Sequence, residues 1–347
     1  MASVARDVQV DGVPSPRILI LKLVALGDVV MASTMLSAAR SRWPSARITW
    51  VVGASFAPLV RRFEGVDEVI AVDEQALMRG GLVERMRAFA GVARAIGRRP
   101  YALAIVGHVD ARYRRLLTFA RVREVRALRL PITGTSADPD WMGLDYARLI
   151  APDATTPTLA RFAWPAGAPR APRAPLGARQ VVLAPGGARN VLRDDHLRRW
   201  PAERWGGLAA RIAATGTRVT VIGGPGDREE AEAVARAASV EQLAGKQSLE
   251  ETVATIAGAT LLVSHDSGPL HLAALVGTPA VALFGPTDPR RFVAPSADVV
   301  VVSAAKGLAC APCYNGRSYA PCDNNRCLRD LDVAAVAHRV LTRLSTL

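Results

Sequence analysis

Leu261-Leu-Val-Ser-His-Asp-Ser-Gly-Pro-Leu-His-Leu-Ala-Ala-Leu-Val-Gly-Thr-Pro-Ala-Val-Ala-Leu-Phe-Gly-Pro-Thr-Asp-Pro289 is the stretch on which the reading of this chain turns. Leu261 to Val263 is a short apolar run, and Ser264 to Gly268 form a polar turn. Leu270 to Leu275 then resume with apolar residues at helical density. A polar turn that opens a helix presents unpaired backbone N–H groups and the positive end of the helix dipole, which suits a phosphate. Val281 to Phe284 is a second buried-strand candidate, closed by Gly285-Pro286. Two successive strand ends would therefore deliver loops to one edge of a sheet, where open α/β sheets bind ligands.

Working outward, short apolar runs alternate with helix-forming sequence along the chain. Arg17 to Leu26 reads as a buried parallel strand, and Gly27-Asp28 ends it. Strands at Ile48–Val52, Val69–Val72 and Ala102–Val106 follow, with a helix over Leu82–Ile96. Pro165, Pro169, Pro172 and Pro175 mark a linker. A second series begins at Val181–Ala184, with the loop Pro185-Gly186-Gly187-Ala188-Arg189 and a helix from Ala202 to Thr215. It continues through a strand over Arg218–Ile222, a helix over Leu249–Ile256, a strand over Val299–Val302 and a terminal helix over Val333–Leu344. The alternation predicts doubly wound parallel sheets.

The chain has 347 residues, which favours two domains. No apolar run reaches membrane-span length, and residues 1 to 17 lack the apolar centre of a secretory signal, so a cytoplasmic protein is expected. The net charge of +13 points to anionic partners, and its excess lies mainly in residues 1 to 170. Arg112, Arg114, Arg115, Arg121, Arg123, Arg126 and Arg129 form the densest cluster. It reads as a solvated helix face, or as a set of contacts to phosphorylated lipid or sugar, with Arg61 and Arg62 weaker candidates of that kind. Asp28 reads as a helix cap or as a carboxylate projected from a strand end, where a general base could sit. His108 beyond its strand carries little weight. The turn Gly223-Gly224-Pro225-Gly226-Asp227 lacks dinucleotide-fingerprint spacing, and no P-loop is present.

All four cysteines fall in Cys310-x2-Cys313-x8-Cys322-x4-Cys327. The first pair has metal-ligand spacing, and four thiolates suit a structural Zn or Fe, with free thiols as the alternative.

Three motifs together resemble glycosyltransferase family 9, which holds the ADP-heptose:lipopolysaccharide heptosyltransferases. They are Leu26-Gly27-Asp28-Val29-Val30, then Pro185-Gly186-Gly187 with Arg199-Trp200-Pro201, and then Asp266-Ser267-Gly268-Pro269-Leu270-His271-Leu272-Ala273-Ala274 continuing to Phe284-Gly285-Pro286-Thr287-Asp288-Pro289. The resemblance spans roughly residues 17 to 345. It implies a GT-B fold, two Rossmann-like doubly wound domains facing a central cleft. Residues 1–16 would be a leader, 17–162 the acceptor-binding domain, 163–179 the linker and 180–330 the nucleotide-sugar domain. Residues 331–347 would be a helix that could pack back on the N-terminal domain.

The resemblance further implies an inverting glycosyltransferase with Asp28 as general base and no cofactor needed for catalysis. Arg198, at a position where Lys is common, would hold donor phosphates together with Asp266, Ser267, Gly268, Pro269, Leu270, His271, Gly186 and Gly187. Asp227 or Glu229 would meet the ribose, and Gly27, Arg61, Arg112 and Arg115 would face the acceptor. The implied partners are an ADP-sugar donor and an anionic glycolipid or glycan acceptor, with peripheral contact at the inner face of the inner membrane. A Met stands at Met31 where relatives often carry His, and Val191 to Leu197 resemble an insertion. A nucleotide-sugar epimerase of the same fold is the nearest rival. A basic nucleic-acid-binding protein is the other, disfavoured by only 18 aromatic residues and no recognised nucleic-acid motif.

Overall fold

The computed structural model describes residues 15–129, 140–164, 179–191, 193–305 and 307–347. The expected leader and linker lie almost wholly outside the described residues. Two compact units are formed. One comprises Met1–Leu23, Ala32–Leu130 and Leu144–Ala160, and the other Val24–Met31, Pro131–Gly143 and Arg161–Leu347.

In the first unit, β1 (Arg17–Leu21), β2 (Arg47–Gly53), β3 (Glu68–Val72), β4 (Pro100–Val106) and β5 (Arg121–Ala127) form a wholly parallel sheet in the order β3-β2-β1-β4-β5. Ile18, Leu19, Ile20 and Leu21 are fully buried, because β1 is covered on both faces as a central parallel strand must be. The helix Leu82–Ile96 has the extent predicted.

Two expectations fail here. The Arg-rich cluster is not one helix face. Arg112, Arg114 and Arg115 fall in a short 3-10 segment, Ala111–Leu117, whereas Arg121, Arg123 and Arg126 lie on β5. Exposure along Arg121–Ala127 alternates residue by residue, as a strand's does, and Arg126 donates to the carbonyls of Leu149 and Ile150. The first strand also ends sooner than expected, at Leu21, and a helix begins at Leu26 and runs to Ala32. A second begins at Thr34 and ends at Arg42. Between them, buried Ser33 accepts the Ala160 N–H through its hydroxyl at 3.0 Å.

In the second unit, β6 (Gln180–Ala184), β7 (Arg218–Val221), β8 (Glu241–Gln242), β9 (Leu261–His265), β10 (Ala280–Leu283) and β11 (Val299–Val302) form a parallel sheet in the order β11-β10-β9-β6-β7-β8. Numbered within the unit this is 3-2-1-4-5-6 from the other edge, the doubly wound order whose direction reverses between β6 and β9. Ser264 and His265 are thus the last residues of β9, not part of the turn. The helix Val333–Ser345 packs on the helix Ala202–Ala213 and buries Val336, Ala337, Val340 and Leu344 in this unit's core. Among the described residues no helix is long and apolar enough to cross a membrane.

Candidate active site

The reversal between β6 and β9 sets two loops side by side: Pro185-Gly186-Gly187 after β6, and Asp266-Ser267 leading into the helix Gly268–Val276 after β9. Their spacing leaves no room for side chains. A Cβ on Gly186 would meet Asp227 Cγ at 2.4 Å, and one on Gly187, whose φ is +89°, would meet Ser267 Cβ at 2.9 Å. Only glycine fits both demands at 187.

His265 fastens the loops. Its Nε2 accepts the Trp200 N–H at 2.7 Å, and its Nδ1 faces the Gly186 carbonyl at 3.3 Å, which assigns the neutral tautomer with the proton on Nδ1. Burial lowers its pKa to about 4. One imidazole therefore links both sequence motifs of this half to the end of β9.

Asp227 is committed in a similar way. Its Oδ1 accepts the Gly187 N–H and its Oδ2 the Gly224 N–H, each at 2.9 Å. Arg189 bridges it to Glu230, at 3.2 and 2.5 Å. That carboxylate clips two loops together, while Glu229 is exposed on the next helix.

Asp266 is 2% exposed. Its Oδ2 lies 3.2 Å from Arg198 Nη1, and its Oδ1 makes no hydrogen bond, with His271 Nε2 3.8 Å away. Burial opposes the carboxylate's charge, yet Arg198 and then His271 hold its pKa below the usual range. Arg198 is partly buried, and its Nε donates to the Tyr319 hydroxyl at 2.7 Å. Its guanidinium lies 4.8 Å from the Tyr314 ring centroid, 5.6 Å from that of Phe292 and 5.9 Å from that of Tyr319. Burial raises the pKa of both phenols, so they are neutral near pH 7 and Asp266 is the anion that keeps Arg198 charged. Three aromatic faces and one carboxylate fix a cation beside the first turn of the helix Gly268–Val276.

Asp28 joins this group. It sits in the first turn of the helix Leu26–Ala32, partly exposed, and its charge acts on Tyr314. Gly27 packs against His271, where a Cβ would fall 2.4 Å from the ring, and Gly268 packs against Leu26 at 2.6 Å. Leu270 and His271 are buried behind the loop, and Pro269 occupies the first turn. The structure thus brings together Gly27, Asp28, Gly186, Gly187, Arg198, Asp227, Asp266, Ser267, Gly268 and His271. Arg61, Arg112 and Arg115 are exposed in the first unit, each beyond the carboxyl end of a strand, and Arg112 pairs with Asp110 at 2.6 Å. His108 is a buried pin: its Nε2 accepts the Leu23 N–H at 2.9 Å and its ring stacks on Tyr113.

Sequence reasoning missed His265, Phe292, Tyr314 and Tyr319. Both tyrosines ride on the cysteine segment, which the Pro286 carbonyl ties down by accepting the N–H groups of Cys313 and Tyr314 at 2.9 and 3.0 Å. The four thiols are free and line one cavity of about 280 Å³ with Leu197 and Pro286. Among the described residues no three His, Cys, Asp or Glu side chains are placed to hold a metal ion. The expectation of a structural Zn or Fe finds no support in that arrangement. What the segment visibly supplies is its tyrosines.

Residues 147–322 match the model of glycosyltransferase family 9 (heptosyltransferase). The chain belongs to glycosyltransferase family 9. Lipopolysaccharide heptosyltransferase 2 of Salmonella typhimurium is 26% identical over 305 residues, 79% of this chain and 84% of that protein. Lipooligosaccharide heptosyltransferase 2 of Haemophilus influenzae is 37% identical over 99 residues, 27% of this chain and 29% of that protein; the alignment thus spans less than a third of that relative's length. A glycosyltransferase family 9 structure from Veillonella parvula superposes with a TM-score of 0.76 at 21% identity, covering 96% of this chain and 98% of that one. The E. coli heptosyltransferase WaaC with ADP gives 0.68 at 21% identity, covering 95% and 99%. These structures share the fold, and the GT-B class with two Rossmann-like doubly wound domains is the one found.

Proposed function

We propose that this chain is an inverting glycosyltransferase of the cytoplasm, moving heptose from ADP-heptose to a lipopolysaccharide-core or related glycan acceptor. The observation that carries the reading is the Arg198–Asp266 pair, clasped by aromatic rings beside the first turn of the helix Gly268–Val276. A cation held rigidly at a helix N-terminus suits a diphosphate. The relatives' names supply the sugar, and the ADP of the WaaC structure supplies the nucleotide.

In this mechanism an acceptor hydroxyl gives its proton to Asp28 as its oxygen attacks the anomeric carbon from the face opposite the diphosphate. The bond from that carbon to the diphosphate oxygen breaks through an oxocarbenium-like transition state, with inversion. Arg198 and the N–H groups of Ser267 and Gly268 take up the charge that gathers on the departing ADP, a role that needs no metal ion. Asp266 and His271 hold the loop, while Gly186 and Gly187 let the phosphates approach the backbone. Asp227 supports that loop, Glu229 is the freer candidate for the ribose, and Arg61, Arg112 and Arg115 are candidates to meet an anionic acceptor.

The test pairs a thermal-shift panel of ADP-, UDP- and GDP-linked sugars with product analysis of Asp28→Asn. Stabilisation by ADP-sugars, with transfer reduced about 10²- to 10⁴-fold in the variant, is expected. Stabilisation by UDP ligands alone defeats the ADP-heptose assignment, and wild-type transfer by Asp28→Asn defeats the general base.

A further inference from the structure

The insertion-like segment after Arg189 brings a second arginine to the aromatic clasp. Arg189 bridges Asp194 as an antiparallel pair, the Asn190 N–H donates to the Arg193 carbonyl at 2.8 Å, and the Arg193 N–H donates to Asn190 Oδ1 at 3.1 Å. These bonds fix the backbone of Arg193. Its guanidinium then lies 5.8 Å from the Tyr314 ring centroid and 6.0 Å from that of Tyr319, the two rings that also hold Arg198. Nη1 donates to the Tyr314 hydroxyl at 3.3 Å. Tyr314 donates its own hydrogen to the Gly316 carbonyl at 2.9 Å, which leaves its oxygen to accept from Arg193.

Four arginines stand between Gly187 and Trp200, and three of them are neutralised at close range. Arg189 meets Glu230 at 2.5 Å, Arg199 meets Asp194 at 2.6 Å and Arg198 meets Asp266 at 3.2 Å. Among the described residues the one carboxylate in reach of Arg193 is that of Asp195, 3.4 Å from its Nε, and Nη2 forms no hydrogen bond. The Arg193 side chain is 36% exposed, against 14% for Arg198. Two guanidiniums set against the same two rings repel each other, and a multiply charged anion beside both relieves that repulsion.

We propose that Arg193 is a second cation of the donor site, binding the diphosphate on the side from which it leaves the sugar; this rests on the diphosphate reading of the Arg198–Asp266 pair. The charge of Asp28, the base in that reading, acts on Tyr314, the same side chain whose hydroxyl Arg193 grips. Arg193 therefore stands at the end of the site where the bond to the sugar breaks. As that bond breaks, both its electrons stay on the diphosphate oxygen, and the leaving group gains one negative charge. Arg198 is already matched by Asp266. Arg193 keeps positive charge in reserve, so it favours the transition state and the released diphosphate over the bound donor.

The test is titration calorimetry of the full chain with ADP and with AMP, comparing the parent with Arg193→Met and Arg193→Lys. The Met side chain keeps an apolar stem against the tyrosines and removes the charge. In Arg193→Met, ADP affinity is expected to fall about tenfold and AMP affinity by less than about twofold, with the melting temperature of the parent. Arg193→Lys, which keeps the cation, should hold ADP within about threefold of the parent. In transfer assays Arg193→Met should lose about tenfold in kcat, with the donor KM changed by less than about threefold. Parental ADP affinity in Arg193→Met, equal losses for ADP and AMP, or an Arg193→Lys variant as weak as Arg193→Met would each overturn the proposal and leave the donor-site reading standing. Where the parent takes UDP or GDP in place of ADP, the same comparison is made against UMP or GMP. A parent that binds no nucleoside diphosphate overturns both.

Discussion

Replacing Tyr319 by Phe removes one oxygen and leaves the ring that faces Arg198. The lost partner is the hydroxyl that accepts from Arg198 Nε at 2.7 Å, in a site where the guanidinium has little access to water. A hydrogen bond from a charged donor is worth about 1.5 to 3 kcal/mol, and part of that loss applies equally with and without ligand. The remainder appears as a less sharply held guanidinium, because of its two side-chain hydrogen bonds only the one to Asp266 then remains. If about 1.4 kcal/mol is expressed in binding, ADP affinity falls about tenfold by titration calorimetry. The control is the same change in an Arg198→Lys background. An ammonium cannot reach Asp266 and Tyr319 in the bidentate manner of a guanidinium, so there the hydroxyl has nothing to hold, and its removal should alter affinity by less than about twofold. Equal losses in both backgrounds would refute the coupling, as would an unchanged affinity in the single variant.

Two further outcomes are expected. His265 is held near a pKa of about 4 against 6.5 in an unfolded chain, so the unfolded state takes up its proton first as pH falls. Its contribution is therefore intact above about pH 6.5 and shrinks toward pH 4, by up to about 3 kcal/mol. His108, lowered by burial and Lys22, adds in the same direction; urea midpoints across that range that fail to fall would contradict both assignments. Gly187→Ala should cost about 1 to 3 kcal/mol of stability, since alanine must adopt a φ of +89° with its methyl against Ser267, and a thermal melt matching the parent would exclude that crowding.

Much of the fold was legible because central parallel strands are nearly pure apolar runs. Ile48–Val52 and Val181–Ala184 were placed within a residue or two of β2 and β6. Edge strands β3 and β11 were read as well, because they keep apolar runs, whereas elements without such a run were not: β5 carries three arginines in seven residues, and the helix Arg228–Ala237 buries only Ala231 and Val234. In the candidate site the long motif around Asp266 was visible, as its turn chemistry is local. The clasp around Arg198 was hidden. It is built by Tyr314 and Tyr319 from a segment whose cysteines dominate any reading of spacing, and nothing local links a tyrosine to an arginine 121 residues earlier.

That separation bears on the order of folding. The clasp joins Arg198 to Tyr319, and Trp200 Nε1 reaches the Leu331 carbonyl across 131 residues, so both close loops that include nearly the whole second sheet. Contacts of such range form after the sheet has brought their ends together. The cysteine segment contributes no strand of its own and is the part whose opening leaves β6 to β11 intact. Partial unfolding should therefore release the Arg198 guanidinium while the sheet's amides stay protected from hydrogen exchange. The phosphate end of the site would be the last thing the chain completes and the first it loses.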